Sequence, residues 1–321
     1  MCFLTGTKML LTVLFMYIAS VRSTEPDTNS SAEVNTVNST AFDSVLVNAD
    51  ELENICTTCI KVNAKCYNVS YLLELDAPFR ETVVVSKLGV MRATNMLYYS
   101  FEPKIEDEEY YKIGFINLDD PSNSSVISGG KQIMNFGTFD LDQVNGLAYL
   151  GGSDGVYVLD TKLNRVAPYS SRGDTVMSLF YKGDNIYFVR YGEFKIIRKK
   201  GDTFDILLDF MPVKMFVINK YNVIVFLSFY GLFVKRGDET MWLSNNAFFR
   251  GLVMDNHDGI YAWWIDGVYQ VIIEPKLAES RIVRVAHIPS IGAVTFDKDN
   301  NFLFTAGKSL YRLTETTWKV C

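Results

Sequence analysis

Histidine is scarce in this sequence, and the short motifs of common catalytic sites are absent. His257 and His287 are the only two histidines among 321 residues. A Ser-His-Asp set needs a histidine that contacts both the nucleophile and an acid, and neither histidine has a serine or cysteine partner by local motif. GxSxG, HExxH, a glycine-rich phosphate loop and a dinucleotide fingerprint are also missing. The sequence therefore predicts no catalytic residue and no cofactor, with distant carboxylates around a metal as the enzyme alternative.

Long hydrophobic runs are lacking too, apart from one at the N-terminus. Lys8 precedes an apolar run of eleven residues, 9–19, which only Thr12 interrupts, and Ser20 and Ser23 follow it. This arrangement is typical of a secretory signal peptide, and the run is too short to span a bilayer of about 30 Å. No later segment reaches about 18 consecutive apolar residues. We expect residues 1–23 to be a signal peptide and the mature protein to be exported, with no membrane partner.

Basic charge is low. When the signal peptide takes Lys8 and Arg22 away, 29 basic and 37 acidic side chains remain, so the net charge moves from −6 to −8. A protein that binds nucleic acid needs a basic face, and the only basic cluster here is residues 198–200. Its simplest interpretation is a solvated strand end. The sequence predicts no nucleic-acid partner.

Four cysteines remain after removal of the signal peptide, namely Cys56, Cys59, Cys66 and Cys321. An even number in an exported chain indicates two disulfides, for which three pairings are possible. The Cys56-x-x-Cys59 spacing also occurs in redox and zinc sites, but no second CxxC accompanies it. We therefore predict disulfides and no metal site.

The segment that precedes the folded part is polar and carries sequons. Residues 24–52 are rich in Ser, Thr, Asn and acids and show neither strand nor helix period, which predicts a disordered leader. Four sequons can accept an N-glycan in the secretory route, at Asn29, Asn38, Asn68 and Asn123. The folded domain is predicted to comprise residues 53–321.

One small unit recurs six times along that domain. A polar turn ends in Asn or Gly, and a burst of apolar and aromatic residues follows it. The last turn residues are Asn95, Gly146, Asn185, Asn222, Gly259 and Asn301, so that the steps are 51, 39, 37, 37 and 42 residues. A period near 40 built from strands is typical of a β-propeller blade. The sequence predicts an all-β, six-bladed β-propeller.

Within each unit the pattern predicts an inner strand A, the burst as strand B, a strand C and a less regular D. Strand C is predicted at residues 155–160, 194–199, 231–236, 267–272 and 309–314. The acidic turns between A and B lack the spacing of a calcium loop, so we interpret them as turn chemistry. Residues 65–73 form a strand that precedes the first unit, and we expect this strand to join the last blade and close the ring. Cys66 and Cys321 then become neighbours, and we hypothesise that they pair.

The mouth of the channel at the B–C turns is where the sequence places candidate binding residues. Aromatic rings and guanidinium groups there suit a planar aromatic ligand that bears an acid, through stacking and charge-assisted hydrogen bonds. The alternative is that many of these rings are core between blades. The candidates are Asn135, Arg190, Tyr191, Phe229, Tyr230, Arg250, Trp263 and Trp264.

Several segments together resemble the insect ommochrome-binding proteins. They are YLGGSDGVY at 149–157, FVIN at 216–219, DGVY at 266–269, the Cys56, Cys59 and Cys66 cluster, and the terminal Cys321. The resemblance covers about residues 53–321. It implies a secreted haemolymph carrier that binds ommochromes, which are coloured aromatic products of tryptophan breakdown, without transforming them. A propeller hydrolase with a metal in its tunnel and an extracellular interaction protein are the alternatives.

Overall fold

Short antiparallel strands joined by tight turns make up most of the described chain. A computed structural model describes residues 59–63, 65–102, 113–127 and 136–317. These residues belong to one compact unit, Val47–Cys321, and contain 25 strands in six sheets together with a single 3-10 turn, Leu277–Glu279. In this described part, no helix has the length and hydropathy needed to cross a bilayer.

Each of the first five sheets is a blade of four consecutive strands, A to D. Blade 1 contains β3 (Val85–Met91), β4 (Met96–Phe101), β5 (Ile113–Asn117) and β6 (Ser124–Val126). Blade 2 contains β7 (Phe136–Asp142), β8 (Leu147–Gly152), β9 (Gly155–Asp160) and β10 (Arg165–Ser170). Blade 3 contains β11 (Val176–Lys182), β12 (Asn185–Arg190), β13 (Ile196–Lys200) and β14 (Thr203–Leu208).

The remaining blades follow in chain order. Blade 4 contains β15 (Met215–Ile218), β16 (Ile224–Ser228), β17 (Gly231–Arg236) and β18 (Glu239–Ser244). Blade 5 contains β19 (Gly251–Met254), β20 (Ile260–Trp264), β21 (Gly267–Ile272) and β22 (Arg281–Ala286). Blade 6 contains β23 (Val294–Phe296), β24 (Phe302–Ala306), β25 (Ser309–Glu315), β2 (Lys65–Glu74) and β1 (Cys59–Val62).

The apolar bursts become strand B because that strand is covered on both faces by neighbouring blades. All five residues of β16 are buried, whereas the outer strand β18 is exposed or half-buried throughout. A strand buried on both faces reads as a continuous apolar run rather than an alternating one. Across blade 4, the rings of Phe226, Phe233 and Trp242 are paired in register and stacked, with centroids 5.3 and 5.7 Å apart.

The ring closes in blade 6, where an early strand joins late ones. β2 pairs antiparallel with β25, from Tyr67 opposite Glu315 to Glu74 opposite Ser309. β1 adds a fifth strand outside β2. This pairing confirms the predicted six-bladed propeller and its closure by strands from both ends of the domain. A sheet edge at β25 is thereby covered.

The predicted disulfides stay a prediction. Cys56 and Cys321 lie outside the described residues, and no side-chain placement is described for Cys59. Cys66 is buried in β2, and its carbonyl oxygen accepts the backbone N–H of Thr316 at 2.9 Å. Cys321 follows five positions after this contact, so the strand pairing is compatible with the hypothesised partner.

The A–B turns are capped by their own side chains. Oδ1 of Asp255 accepts the backbone N–H groups of His257 and Gly259 at 2.8 and 2.7 Å. Oδ1 of Asp297 accepts those of Asp299 and Asn301, both at 2.9 Å. Side chains of this type cap turns through such local hydrogen bonds. The acidic residues of these turns are therefore engaged in turn chemistry, as the sequence predicts.

Two of the four sequons lie in the described residues. Asn123 is exposed in the turn between β5 and β6. Asn68 is half-buried in β2, paired with Cys59 on one side and Thr314 on the other. Asn29 and Asn38 lie outside the described residues, as do the predicted signal peptide and leader. Glycosylation at all four stays a prediction.

Candidate functional site

A central channel runs between the six innermost strands. A cavity of about 270 Å³ in this channel is lined by one or more residues from every A strand. In ring order, these include Lys87, Asp140, Tyr181, Val217, Leu252 and Thr295. We call this space the channel cavity. Ligand sites in proteins are typically concave, largely preformed and mostly apolar with a few polar groups, and the channel cavity has this character.

Four of the residues that line the channel cavity are aromatic. Phe180, Tyr181, Phe296 and Trp263 all line the cavity. Trp263 belongs to the B strand of blade 5, and its indole reaches the channel across Gly251 of the A strand. A Cβ atom at Gly251 would lie 2.1 Å from the Trp263 ring, so this position requires glycine. Trp263 is only 1% exposed, and its Nε1–H donates to the carbonyl oxygen of Gly292 at 2.8 Å.

One ion pair joins three blades inside the channel. Nζ of Lys87 lies 3.6 Å from Oδ1 of Asp140 and 3.4 Å from the carbonyl oxygen of Leu179. The other carboxylate oxygen, Oδ2 of Asp140, accepts the backbone N–H of Tyr181 at 2.7 Å. Both charged side chains are 23% exposed. Within this part of the channel, the two opposite charges therefore neutralise each other.

The phenol of Tyr181 remains neutral in the physiological range. Burial raises the pKa of Tyr181, and hydrogen bonds to Asp142 and Asp184 raise that pKa further. Its ring also stacks on Tyr149, with centroids 5.1 Å apart and an interplanar angle of 19°. The channel wall at blade 3 thus presents an uncharged, fixed aromatic ring.

The A–B end of the channel cavity is polar. Arg92, Gln143 and Asn256 line it there. Nη1 of Arg92 donates to Oδ1 of Asn256 at 3.0 Å. Arg92 follows the A strand of blade 1 and Asn256 follows that of blade 5, so this contact crosses the channel mouth in front of blade 6.

A second cavity opens at the B–C end, and we call it the mouth cavity. It has a volume of about 390 Å³ and is lined by residues 82–86 together with Arg250, Ser290, Gly292 and Gly307. Arg250 is exposed, and its Nη1 donates to the carbonyl oxygen of Ile291 at 3.0 Å. The structure thus places the predicted Arg250 at the predicted end of the channel.

Three of the predicted aromatic residues lie together on the surface of blades 3 and 4. Tyr191, Phe229 and Tyr230 are 71%, 51% and 61% exposed. The ring of Phe194 connects the first two, with centroid distances of 6.1 Å to Tyr191 and 5.5 Å to Phe229. Nζ of Lys214 lies 5.4 Å from the centroid of Phe229. None of these residues lines the channel cavity or the mouth cavity.

The other predicted residues have different surroundings. Arg190 forms ion pairs with Asp174 at 3.0 Å and Glu193 at 3.4 Å, so its charge already has partners. Trp264 is half-buried and packs against the core of blades 3 to 5. Asn135 lies outside the described residues. Of the eight predicted residues, Trp263 lines the channel cavity and Arg250 lines the mouth cavity.

The sequence did not single out the polar residues of the channel. Lys87 and Asp140 lie in A strands, and Arg92 directly follows one. A signal was nevertheless present, because Lys87 interrupts VSKLGVM and Asp140 interrupts TFDLD. A charged residue inside the innermost strand of a propeller either contacts a partner in the next blade or faces the channel.

The two histidines lie at opposite ends of blade 5. Nδ1 of His257 lies 3.1 Å from Nδ2 of Asn300 in the A–B turns, and Nδ1 of His287 lies 2.9 Å from the carbonyl oxygen of Asp266 near a B–C turn. Within the described ranges, no three His, Cys, Asp or Glu side chains come close enough to hold a metal ion.

Comparison with known proteins gives one relative by sequence and many by fold. No family model matches the chain. It is 22% identical over 266 residues to the ommochrome-binding protein of Manduca sexta, which covers 79% of this chain and 90% of that protein. The predicted resemblance is thereby confirmed as a similarity at low identity.

The solved structures that resemble this fold are propellers of diverse function. A gluconolactonase from Xanthomonas campestris matches with a TM-score of 0.58 at 12% identity, over 80% of this chain and 95% of that one. A streptogramin B lyase matches with a TM-score of 0.55 at 10% identity, over 78% and 98%. The WD40 repeats of RRP9 match with a TM-score of 0.55 at 7% identity, over 80% and 99%. At such identities the likeness concerns the fold alone.

Proposed function

We propose that this protein is a secreted haemolymph carrier that binds a small planar aromatic metabolite of the ommochrome type in its central channel, without chemical change. The channel cavity carries this proposal. Its lining includes the aromatic residues Phe180, Tyr181, Phe296 and Trp263 around a space of about 270 Å³. The similarity to the ommochrome-binding protein of Manduca sexta supports the same class of ligand.

A closed ring of blades suits a carrier. Strand pairing and inter-blade hydrogen bonds hold the channel wall in place before a ligand arrives. Binding therefore costs little conformational entropy of side chains or loops. Flat rings in the wall favour a flat ligand through offset or edge-to-face contacts, with centroids about 4.5–7 Å apart. Ligand affinity then derives from a preformed surface.

The eight contact residues predicted from the sequence remain part of the proposal in three groups. Trp263 and Arg250 belong to the two cavities of the channel. Tyr191, Phe229 and Tyr230 form a surface row beside the B–C end, where a ligand can first make contact. The third group contains the remaining predicted contact residues, Trp264, Arg190 and Asn135.

Absorbance spectroscopy tests the ligand. Protein purified from its native fluid is expected to carry a bound chromophore, or to shift the absorbance of added xanthommatin saturably at micromolar concentration with one pigment per chain. An absence of any copurifying chromophore together with an absence of binding contradicts the carrier proposal.

Two filling substitutions locate the pigment. Thr295→Trp places an indole in the channel cavity, and Thr82→Trp places one in the mouth cavity. We expect Thr295→Trp to abolish xanthommatin binding and Thr82→Trp to leave it within about twofold of the wild type, since only the first fills the site. If Thr295→Trp does not fold, Lys87→Trp fills the same cavity from a side chain that is 23% exposed. If only Thr82→Trp loses xanthommatin binding, the pigment binds in the mouth cavity instead.

The main alternative is a propeller hydrolase, favoured by the fold similarity to a gluconolactonase. A hydrolase of this kind is expected to contain stoichiometric calcium or zinc and to turn over lactones or phosphate esters. Metal analysis and lactone hydrolysis by the purified protein distinguish it from a carrier. An extracellular interaction protein would show neither activity nor pigment binding.

A further inference from the structure

The A–B end of the channel cavity differs from its interior. Inside, the lining includes aliphatic and aromatic residues, and the Lys87–Asp140 pair is internally neutralised. At the A–B end, the lining side chains are Arg92, Gln143 and Asn256. The cavity therefore offers apolar contacts in its interior and polar contacts at its A–B end.

Arg92 is held in position from both sides. Its backbone N–H donates to Oε1 of Gln143 at 2.9 Å, and Nε2 of Gln143 donates back to the carbonyl oxygen of Val90 at 2.8 Å. The guanidinium then reaches across the mouth, where Nη1 donates to Oδ1 of Asn256 at 3.0 Å. The start of this side chain is fixed to blade 2 and its end to blade 5.

Asn256 is itself oriented by blade 6. Its backbone N–H donates to Oδ1 of Asn300 at 2.8 Å, and its Nδ2 donates to the carbonyl oxygen of Asp297 at 3.0 Å. Because Nδ2 is used in this way, Oδ1 is the atom that faces Arg92. The contact between the two side chains is thus built from fixed groups.

The charge of Arg92 has no counterpart. Among the described residues, Arg92 forms no ion pair, whereas Lys87 has Asp140 at 3.6 Å and Arg312 has Asp297 at 3.1 Å. The nearby carboxylate of Asp255 is committed to its own turn through the N–H groups of His257 and Gly259, and Tyr261 approaches its second oxygen at 3.4 Å. The guanidinium has N–H groups beyond Nη1 that can donate to a further acceptor.

We propose that Arg92 binds the carboxylate of an aromatic acid whose rings occupy the channel cavity, with Asn256 as the group that holds the guanidinium ready. This inference rests on the proposed function, and it adds the ligand class and the ligand's orientation. A guanidinium presents paired donors that match a carboxylate, and such charge-assisted bonds are roughly twice as strong as neutral ones. The acid lies at the A–B mouth, and the rings point inward toward Trp263.

This orientation also assigns an entry route. A ligand that enters at the A–B mouth meets Arg92 first, and its carboxylate accepts from the guanidinium N–H groups that Asn256 does not use. At the inner end, Trp263 is fixed to Gly292, so its indole limits how deep the rings can go.

The test compares an acid with its ester in matched variants. Titrations use xanthommatin and the same pigment esterified at its carboxyl groups, with Arg92→Gln, Asn256→Asp and the control Arg284→Gln. Arg284 is an exposed arginine on the outer strand of blade 5, paired with Asp266 at 3.3 Å. Asn256→Asp supplies a carboxylate of the protein's own, 3.0 Å from Nη1 in the present geometry, which competes with the ligand.

We expect Arg92→Gln and Asn256→Asp to weaken binding of the acid about 10- to 100-fold and to leave the ester within about twofold, because only the charged hydrogen bonds are lost. Arg284→Gln should bind both pigments as the wild type does. If Arg92→Gln binds the acid with wild-type affinity, the acid lies elsewhere and this inference fails while the carrier proposal stands. If the wild type binds neither pigment, both fail.

Discussion

The backbone N–H of Arg250 donates to the carbonyl oxygen of Trp263 at 2.8 Å, and the side chains of both residues reach the next blade. Nη1 of Arg250 donates a hydrogen bond to the carbonyl oxygen of Ile291, and Nε1 of Trp263 donates one to the carbonyl oxygen of Gly292. Two successive carbonyl groups of blade 6 are thereby held by neighbouring side chains of blade 5. This relationship fixes the wall between the channel cavity and the mouth cavity.

Trp263→Phe should destabilise the protein. The substitution removes the Nε1–H donor to Gly292 and leaves a void beside Gly251, at a site that is 1% exposed. We expect the free energy of unfolding to fall by about 2–4 kcal/mol, measured by urea denaturation. Trp242→Phe is the control, since Trp242 is 54% exposed, and its cost should stay below about 1 kcal/mol. Equal costs would show that the Gly292 contact contributes little.

Gly251→Ala should also destabilise, through overpacking. The added Cβ would lie 2.1 Å from the Trp263 ring, which is 1% exposed and held by its hydrogen bond to Gly292. We expect a loss of about 1–3 kcal/mol. Gly137→Ala in β7 is the matched control, because nothing lies within 4 Å of its Cβ position, and its effect should stay within about 0.5 kcal/mol. A neutral Gly251→Ala would mean that the indole can leave the channel wall.

Removal of β2 should open the ring. A chain that begins at Ala77 lacks the strand that covers β25, and an uncovered sheet edge promotes association. We expect this chain to aggregate and to lose its cooperative thermal transition, measured by size-exclusion chromatography and circular dichroism. A chain that begins at residue 53 is the control and should keep both properties. A monomeric, cooperative chain from Ala77 would contradict closure by β2.

Stability should fall in alkaline solution because buried tyrosines resist ionisation. Burial raises the pKa of Tyr98 and of Tyr149 to about 12, whereas an unfolded tyrosine has a pKa of about 10. The contribution of these neutral phenols to the free energy of unfolding is complete below about pH 10. It is lost as the pH rises from about 10 to 12, because the tyrosines of the unfolded chain ionise first. Urea midpoints across this range measure the loss, and Tyr98→Phe should reduce it. A flat profile would contradict burial of these phenols.

Asp297 should stabilise its turn without calcium. This carboxylate is 1% exposed, caps the turn through two N–H groups and pairs with Arg312. Asp297→Ala should cost about 2–4 kcal/mol because it removes the acceptor of two turn N–H groups and leaves the partly exposed Arg312 without its partner. The control Asp299→Ala removes an exposed carboxylate and should cost below about 0.5 kcal/mol. A rise in the Tm of the wild type on addition of millimolar calcium would restore the metal-loop interpretation of the acidic turns.

Strand positions were largely predictable because they follow from local patterns. The predicted C strands at 155–160, 231–236 and 267–272 have those bounds in the structure. The C strand of blade 3 begins at Ile196 rather than at residue 194, because Phe194 adopts a positive φ of 56° and its N–H closes a turn onto the carbonyl oxygen of Arg190. The apolar sequence pattern does not reveal that an aromatic residue adopts a left-handed backbone conformation, so it could not predict this strand boundary.

The site was less predictable than the fold. Trp263 and Trp264 are adjacent in the sequence and equally aromatic, yet Trp263 forms the channel wall and Trp264 packs into the core of blades 3 to 5. Side chains alternate between the faces of a strand, and which face reaches the channel depends on the glycine opposite, here Gly251. Tyr191, Phe229 and Tyr230 lie at B–C turns but line neither cavity, and the polar lining of the A–B end was missed.

The sequence by itself determined the strands, the turns and the number of blades, because alternation, aromatic bursts and Asn or Gly turns are properties of neighbouring residues. Only the tertiary structure decided what lines the channel. Arg92 and Asn256 are 164 positions apart, and no local pattern relates them. Closure of the ring through β2 and β25 sets the blades at fixed angles, and this closure brings a lone guanidinium and a fixed amide together across the mouth of an aromatic cavity.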